Sequence, residues 1–156
     1  IKPSVSAAAW HTHRVSTQNI NEMEMIFSNL KSSHKMIVQE FQESVLTSGE
    51  VSIMVFGGKY SHAVLKKSKK NDFRVQDDFG GTVSYYEPKK IEIDFAEKIV
   101  SLCPEKPLYA RVDILLSKNG KILLSELEII EPELWFRFRE KSADFLAKKI
   151  YESIIF

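Results

Sequence analysis

Apolar residues recur along this chain with two periods, and the switches between them predict its elements. From Asn19 to Leu30 the apolar side chains of Ile20, Met23, Ile26, Phe27 and Leu30 follow helical spacing, with Thr17 or Asn19 placed to cap the start. Met36 to Gln39 is a short apolar run suited to a strand. Val51 to Phe56 and Tyr60 to Leu65 flank Gly57-Gly58-Lys59 as two antiparallel strands flank a hairpin turn. A lysine-rich stretch from Lys66 to Asp72 reads as an exposed loop, and Gly80-Gly81 breaks the chain before a strand from Thr82 to Tyr86. Helical spacing returns from Glu92 to Leu102 and stops at Cys103-Pro104. Leu108 to Leu116 and Lys121 to Leu127 are then joined by Ser117-Lys118-Asn119-Gly120, whose Asn-Gly pair tolerates positive φ and marks a hairpin. A closing helix is expected from Phe138 to Ile154, with Phe145, Leu146, Ile150 and Ile154 on one face. With no internal repeat or low-complexity tract, the pattern predicts an α+β domain on antiparallel sheet.

Composition narrows the picture. A chain of 156 residues that is 44% hydrophobic can bury one sizeable core, so a single domain of two lobes is expected rather than two independent domains. The net charge is +1 although 28% of residues are charged, so no global field points to nucleic acid or to an anionic membrane as partner. Cys103 is the only cysteine, which excludes an intramolecular disulfide and fits a structural thiol near a helix end. No apolar run has the length of a membrane span and no signal-peptide pattern is present, so the cytoplasm is the expected setting. The chain opens on Ile1-Lys2-Pro3, which reads as the end of a strand, and a segment upstream of it is expected.

The chemistry concentrates on the second hairpin. Asp113 lies on its first strand, and Glu126 and Glu128 alternate on its second, which puts both glutamates on one face. Pairing through the Asn119-Gly120 turn brings Asp113 to them, with Glu131 nearby. Carboxylates so gathered repel one another unless a cation lies between them, and hard oxygen donors suit magnesium. The plain alternative, solvent-facing acids on an edge strand, is disfavoured by the apolar hairpin around them. Arg111, two residues before Asp113, shares its face and offers a guanidinium fork to a phosphoryl or carboxylate oxygen. Lys2, Lys66 and Arg74 add scattered cations, each of which alone would read as a surface ion pair.

Taken in order, these segments resemble an ATP-grasp enzyme. The series runs Lys2-Pro3, Gln39-Glu40-Phe41, Gly49-Glu50-Val51-Ser52, Ser61-His62-Ala63-Val64-Leu65-Lys66, Asp72-Phe73-Arg74-Val75-Gln76 and Gly80-Gly81. It closes with Arg111-Val112-Asp113 and Glu126-Leu127-Glu128. Several motifs in order are far more specific than one alone, and the resemblance is nearest the bacterial glutathione synthetase branch and cyclo-ligases that make D-cycloserine. It implies an ATP-grasp domain over 1–156, with 1–40 in the small lobe and 41–156 as the large lobe with the metal site. Both lobes would be built on antiparallel sheet with flanking helices, and the N-terminal substrate domain would be absent.

The resemblance also implies roles. Lys2 would reach the nucleotide phosphates, Gln39, Glu40 and Phe41 would hold the adenine edge through their backbone, and Glu50 would bind the ribose hydroxyls. Lys66 and Arg74 would face the phosphates and the acyl phosphate, with Arg111 steadying the group being phosphorylated. Gly80-Gly81 would form a substrate-side turn. Asp113 and Glu126 would ligate magnesium, and Glu128 would stand where many family members have asparagine. Ala7-Ala8-Ala9 replaces the family's glycine-rich loop, and the resemblance predicts mobility in Ser4 to Arg14 and Lys67 to Asp72 without nucleotide. The implied activity is carboxylate–amine ligation driven by ATP and Mg2+, with two ions and Mn2+ as a substitute. The implied partners are small carboxylate and amine substrates and the protein's own upstream domain, and a homodimer is compatible. Two rivals share these parts: a nucleotide-binding module without turnover of its own, and a kinase. Trp135, Phe136 and Arg137 read either as pocket lining or, more commonly for aromatics so dense, as core.

Overall fold

Alternating sequence becomes antiparallel sheet at both predicted hairpins. The structure is a computed structural model that describes residues 1–6, 9–69 and 80–155. The chain divides into two compact units, Ile1–Gln42 and Glu43–Phe156.

In the N-terminal unit, β1 (Lys2–Pro3) pairs antiparallel with β2 (Met36–Ile37) beside helix α1 (Ile20–Leu30). The strand expected to reach Gln39 stops at Ile37, opposite Lys2. The backbone of Ile1 beyond it instead exchanges hydrogen bonds with His13, the Ile1 amine donating to the His13 carbonyl at 3.0 Å and the His13 N–H to the Ile1 carbonyl at 2.9 Å. Asn19 sits at the start of α1 without capping it by side chain. Its Oδ1 instead accepts the Ser16 N–H at 2.7 Å and its Nδ2 donates to the Arg14 carbonyl at 3.0 Å, which ties the preceding loop to itself.

The larger unit holds α2 (Ser44–Thr47), β3 (Glu50–Phe56), β4 (Lys59–Lys67), β5 (Thr82–Tyr86), α3 (Lys90–Ser101), β6 (Tyr109–Leu116), β7 (Ile122–Glu128) and α4 (Lys141–Ile155). Its five strands form one sheet in the order β5-β4-β3-β6-β7, every neighbouring pair antiparallel. Because successive side chains alternate, Val51, Ile53, Val55, Ala63, Ala110, Val112 and Ile114 project to one face and pack under Ala96 and Val100 of α3. Each such large aliphatic side chain contributes roughly 1.5–3 kcal/mol by burial. Entry into α3 is fixed by Glu92, which is buried and accepts the Lys89 N–H at 2.9 Å and the Tyr86 hydroxyl at 3.1 Å. Burial and the Glu92 charge push the Tyr86 hydroxyl up to about 12.

The opposite face is divided. At one end Met54, Phe56 and Val64 pack with Trp135, joined by Phe136, Phe138, Phe145 and Leu146. Trp135 adopts a left-handed φ of 53° and begins a 3-10 turn at Phe136–Phe138, so α4 starts at Lys141 rather than at Phe138. Trp135 is buried and Phe136 packs against the same cluster, which makes both core residues. At the other end of this face the side chains are charged. Gly49 allows that end to form: with φ +80°, a Cβ there would stand 2.4 Å from the Lys66 carbonyl oxygen. None of the described helices is long and apolar enough to cross a membrane.

Candidate functional site

Three strands and one irregularity assemble the charged end of the sheet. In register, Glu50 of β3 lies opposite Lys66 of β4, Ser52 of β3 opposite Asp113 of β6, and Asp113 opposite Glu126 of β7, with Arg111 opposite Glu128. The β6–β7 ladder shifts between Asp113 and Ile114, where Ile114 pairs with Leu124 but Asp113 pairs with Glu126. Ser125 is the extra residue of this bulge. Were Ser125 paired with Asp113 in a regular ladder, Glu126 would fall opposite Val112, on the α3 face, since a one-residue slip reverses every side chain. The bulge therefore turns both glutamates toward Asp113.

The result is a continuous chain of ion pairs. Lys66 Nζ lies 2.7 Å from Glu50 Oε2 and donates to Asp113 Oδ2 at 2.9 Å. Arg111 Nε donates to Asp113 Oδ1 at 3.0 Å and Nη2 donates to Oδ2 at 3.0 Å, a two-pronged contact. The same Nη2 donates to Glu128 Oε1 and lies 3.9 Å from Glu126 Oε2. Asp113 is fully buried and Glu50, Lys66 and Arg111 nearly so, whereas the Glu126 side chain is 59% exposed. Oxygens of Asp113, Glu126 and Glu128 come within 4.8 Å of one another, a group that does not include Glu131.

Electrostatics follow from these positions. Burial by itself would raise the Asp113 carboxyl, but the neighbouring Lys66 and Arg111 overcome it and hold the carboxyl below the usual range. Lys66 and Arg111, whose burial favours the neutral form, are kept charged and shifted upward by Asp113 together with Glu50 and Glu128. Glu126 goes the other way: partial burial and the like charges of Glu128 and Asp113 push it up. The cation expected between the carboxylates is thus supplied in part by the protein's own side chains. Ser52 was not anticipated as a site residue. Its hydroxyl is fully buried and close enough to favour the Asp113 carboxylate, yet it makes no hydrogen bond of ordinary geometry. The signal was available, since Glu50 and Ser52 are polar at alternating positions in an otherwise apolar strand.

Of the residues singled out from sequence, Glu50, Lys66, Arg111, Asp113, Glu126 and Glu128 come together on this sheet face. Glu50 spends its carboxylate on Lys66. Lys2, Gln39, Glu40 and Phe41 belong to the N-terminal unit, where the Arg14 guanidinium lies 4.1 Å from the Phe41 ring centre. In that unit Trp10 also packs edge-on against His34, with ring centres 5.3 Å apart. Arg74 lies outside the described residues, as do Ala7, Ala8 and Asp72. Gly80 takes a φ of 79° just before β5.

Comparison with known proteins gives one kind of answer. No protein-family model matches the chain, and no curated protein matches it significantly. Solved structures do. A structure of D-cycloserine synthetase DcsG superposes with a TM-score of 0.80 at 22% identity, covering 97% of this chain and 54% of that one. The ATP-grasp ligase PsnB, solved with precursor peptide PsnA2 and AMPPNP, gives 0.63 at 15% identity, covering 95% and 45%. D-alanine–D-alanine ligase from Bacillus anthracis gives 0.57 at 18% identity, covering 97% and 52%. The chain spans about half the length of the solved structures it matches. These likenesses show that it has the ATP-grasp fold.

Proposed function

We propose that this chain is the nucleotide-binding part of an ATP- and magnesium-dependent ligase that joins a carboxylate to an amine through an acyl phosphate. The observation that carries the reading is the buried run of paired charges from Glu50 through Lys66, Asp113 and Arg111 to Glu128, set on one face of an ATP-grasp sheet. Stability alone does not account for such a run, because buried ion pairs contribute little over apolar packing. PsnB has been solved with magnesium and ADP, and the donor set here fits the same ion: three hard oxygen ligands within 4.8 Å, of which Glu126 and Glu128 are reachable from solvent. Asp113, Glu126 and Glu128 would hold it, as one or two ions, with Mn2+ as a substitute. When bound, the metal would neutralise phosphate charge and orient the triphosphate.

The protein's own groups account for the rest by position and charge. Lys66, fixed by Glu50, presents an ammonium to the transferring phosphoryl group, and Arg111 presents its fork to the acceptor carboxylate. Transfer forms a bond from a carboxylate oxygen to the γ-phosphorus as the bond to ADP breaks. The amine then attacks the carbonyl carbon, phosphate leaves and the nitrogen loses a proton. Arg111 offsets the oxyanion of that second step. Lys2 and Arg74 supply further cations to the phosphates, and Gln39, Glu40 and Phe41 line the adenine edge. The substrates, the upstream domain and a cytoplasmic setting belong to the same proposal.

A second reading, a module that binds nucleotide without turnover of its own, uses the same residues. Calorimetry with ATP, with and without Mg2+, separates a binding protein from an inert one, and equal affinity in both conditions would refute the metal assignment. Hydroxylamine added to the full-length protein with ATP and substrate tests turnover: a hydroxamate supports carboxylate activation, and its absence under turnover supports a kinase.

A further inference from the structure

The Arg111 side chain does more than sit near the acidic cluster; it stands at its centre. One nitrogen, Nη2, lies 3.0 Å from Asp113 Oδ2 and 3.9 Å from Glu126 Oε2, and it donates to Glu128 Oε1. Those are the same three carboxylates whose oxygens approach within 4.8 Å of one another. A guanidinium and a divalent cation cannot both occupy the middle of three carboxylates, because they would compete for the same lone pairs and repel each other at contact distance. Among the described residues, four carboxylates (Glu50, Asp113, Glu126 and Glu128) face two cations (Lys66 and Arg111). Two negative charges are left over, enough to attract a divalent ion but not to expel the arginine unaided.

We propose that Arg111 is a resident counter-ion of the Asp113–Glu126–Glu128 triad, displaced when metal and nucleotide arrive together and thereby released to the anionic substrate. This rests on the metal reading above and adds its regulation. Metal alone meets a site already neutralised in part by Arg111. Metal carried with a triphosphate brings new anions, which offer the guanidinium somewhere to go. Ser52, whose buried hydroxyl lies across from Asp113, remains beside the carboxylate when Arg111 leaves. Arg111 thus positions the metal site by occupying it and serves the reaction by leaving.

The test is Mn2+ binding to the chain with and without AMPPNP, followed by electron paramagnetic resonance, for wild type, Arg111→Gln, Asp113→Asn and the double variant Arg111→Gln/Asp113→Asn. Without nucleotide, Arg111→Gln should bind Mn2+ about 10-fold or more tightly than wild type, and the double variant should lose that gain. If Arg111→Gln binds no more tightly while Asp113→Asn weakens Mn2+ binding in the presence of AMPPNP, the counter-ion role is wrong and the metal site stands. If Asp113→Asn changes Mn2+ binding in neither condition, the metal assignment itself fails. Should Arg111→Gln not fold, the wild-type Arg111 Nε–H resonance decides. It should shift when Mg2+ and AMPPNP are added together and hold still with Mg2+ alone, and no shift in either case overturns the proposal.

Discussion

The two faces of the central sheet are made by the same strands and obey opposite rules. On the α3 side, Val51, Ile53, Val55, Val112 and Ile114 are buried against apolar neighbours, and every contact adds to stability without needing a partner of defined direction. On the other side, one residue over along the same strands, Glu50, Ser52, Arg111 and Asp113 are just as buried and depend on one another. One face therefore tolerates change in proportion to volume. The other fails as a unit when a single charge is removed.

Three substitutions and one deletion separate these behaviours, in descending size. Asp113→Asn leaves Lys66 and Arg111 short of their shared partner and should destabilise the fold by about 3–5 kcal/mol in urea denaturation. It should also weaken Mg2+-dependent ATP binding by about 100-fold or more in calorimetry. Ile53→Ala on the α3 face should cost about 2–5 kcal/mol in the same denaturation. The folded fraction should keep its affinity for ATP and Mg2+, and a matching loss of affinity would show that the faces are coupled.

Deleting Ser125 removes the bulge yet keeps Glu126 opposite Asp113, since the pairs on either side then follow without a gap. Destabilisation of about 1 kcal/mol and metal-dependent binding within about 10-fold of wild type are expected. Loss of binding would mean that the bulge geometry, beyond its parity, shapes the site.

The smallest effect, and the one of opposite sign, belongs to Glu126→Gln. Because Glu126 is shifted up in the folded chain, the folded state holds its proton more tightly, so its contribution favours folding at low pH and is lost as pH rises past its folded value. The variant should thus be more stable than wild type at pH 7, by about 0.5 kcal/mol after allowing for the exposure of the side chain, while binding metal less well. As pH falls through and below its ordinary value of 4.5, the gain should fade. Asp113, shifted down, acts in the other direction: its stabilisation holds above its ordinary value of 3.8 and is lost as pH falls further. Thermal melts across pH 3 to 8 read both.

Local pattern made much of this legible. The helical spacing of Asn19 to Leu30 and of Glu92 to Leu102, the Asn119-Gly120 turn and the alternation through Val51–Phe56 each correspond to an element within a residue or two. The candidate residues were legible too, as residues: Asp113, Glu126 and Arg111 were named from alternation and spacing. Their wiring was not. Sequence places the Arg111 guanidinium on the face of Asp113, within reach of a phosphoryl or carboxylate oxygen, and the structure shows it paired with Asp113 and Glu128. The resemblance implies Glu50 at a ribose, and the structure adds its ion pair with Lys66. The aromatic run after Pro132 fits either pocket or core by sequence, and packing of Trp135 on Met54, Phe56 and Val64 makes it core.

Sequence alone determined the periodicities, the turns and which residue types were available, because each depends on neighbours within one turn of helix or one hairpin. Tertiary structure decided which face Glu126 occupies and which cation each carboxylate receives. The first depends on one unpaired residue in a ladder, the second on side chains 47 positions apart, such as Lys66 and Asp113, brought together only when β3 is laid between their strands.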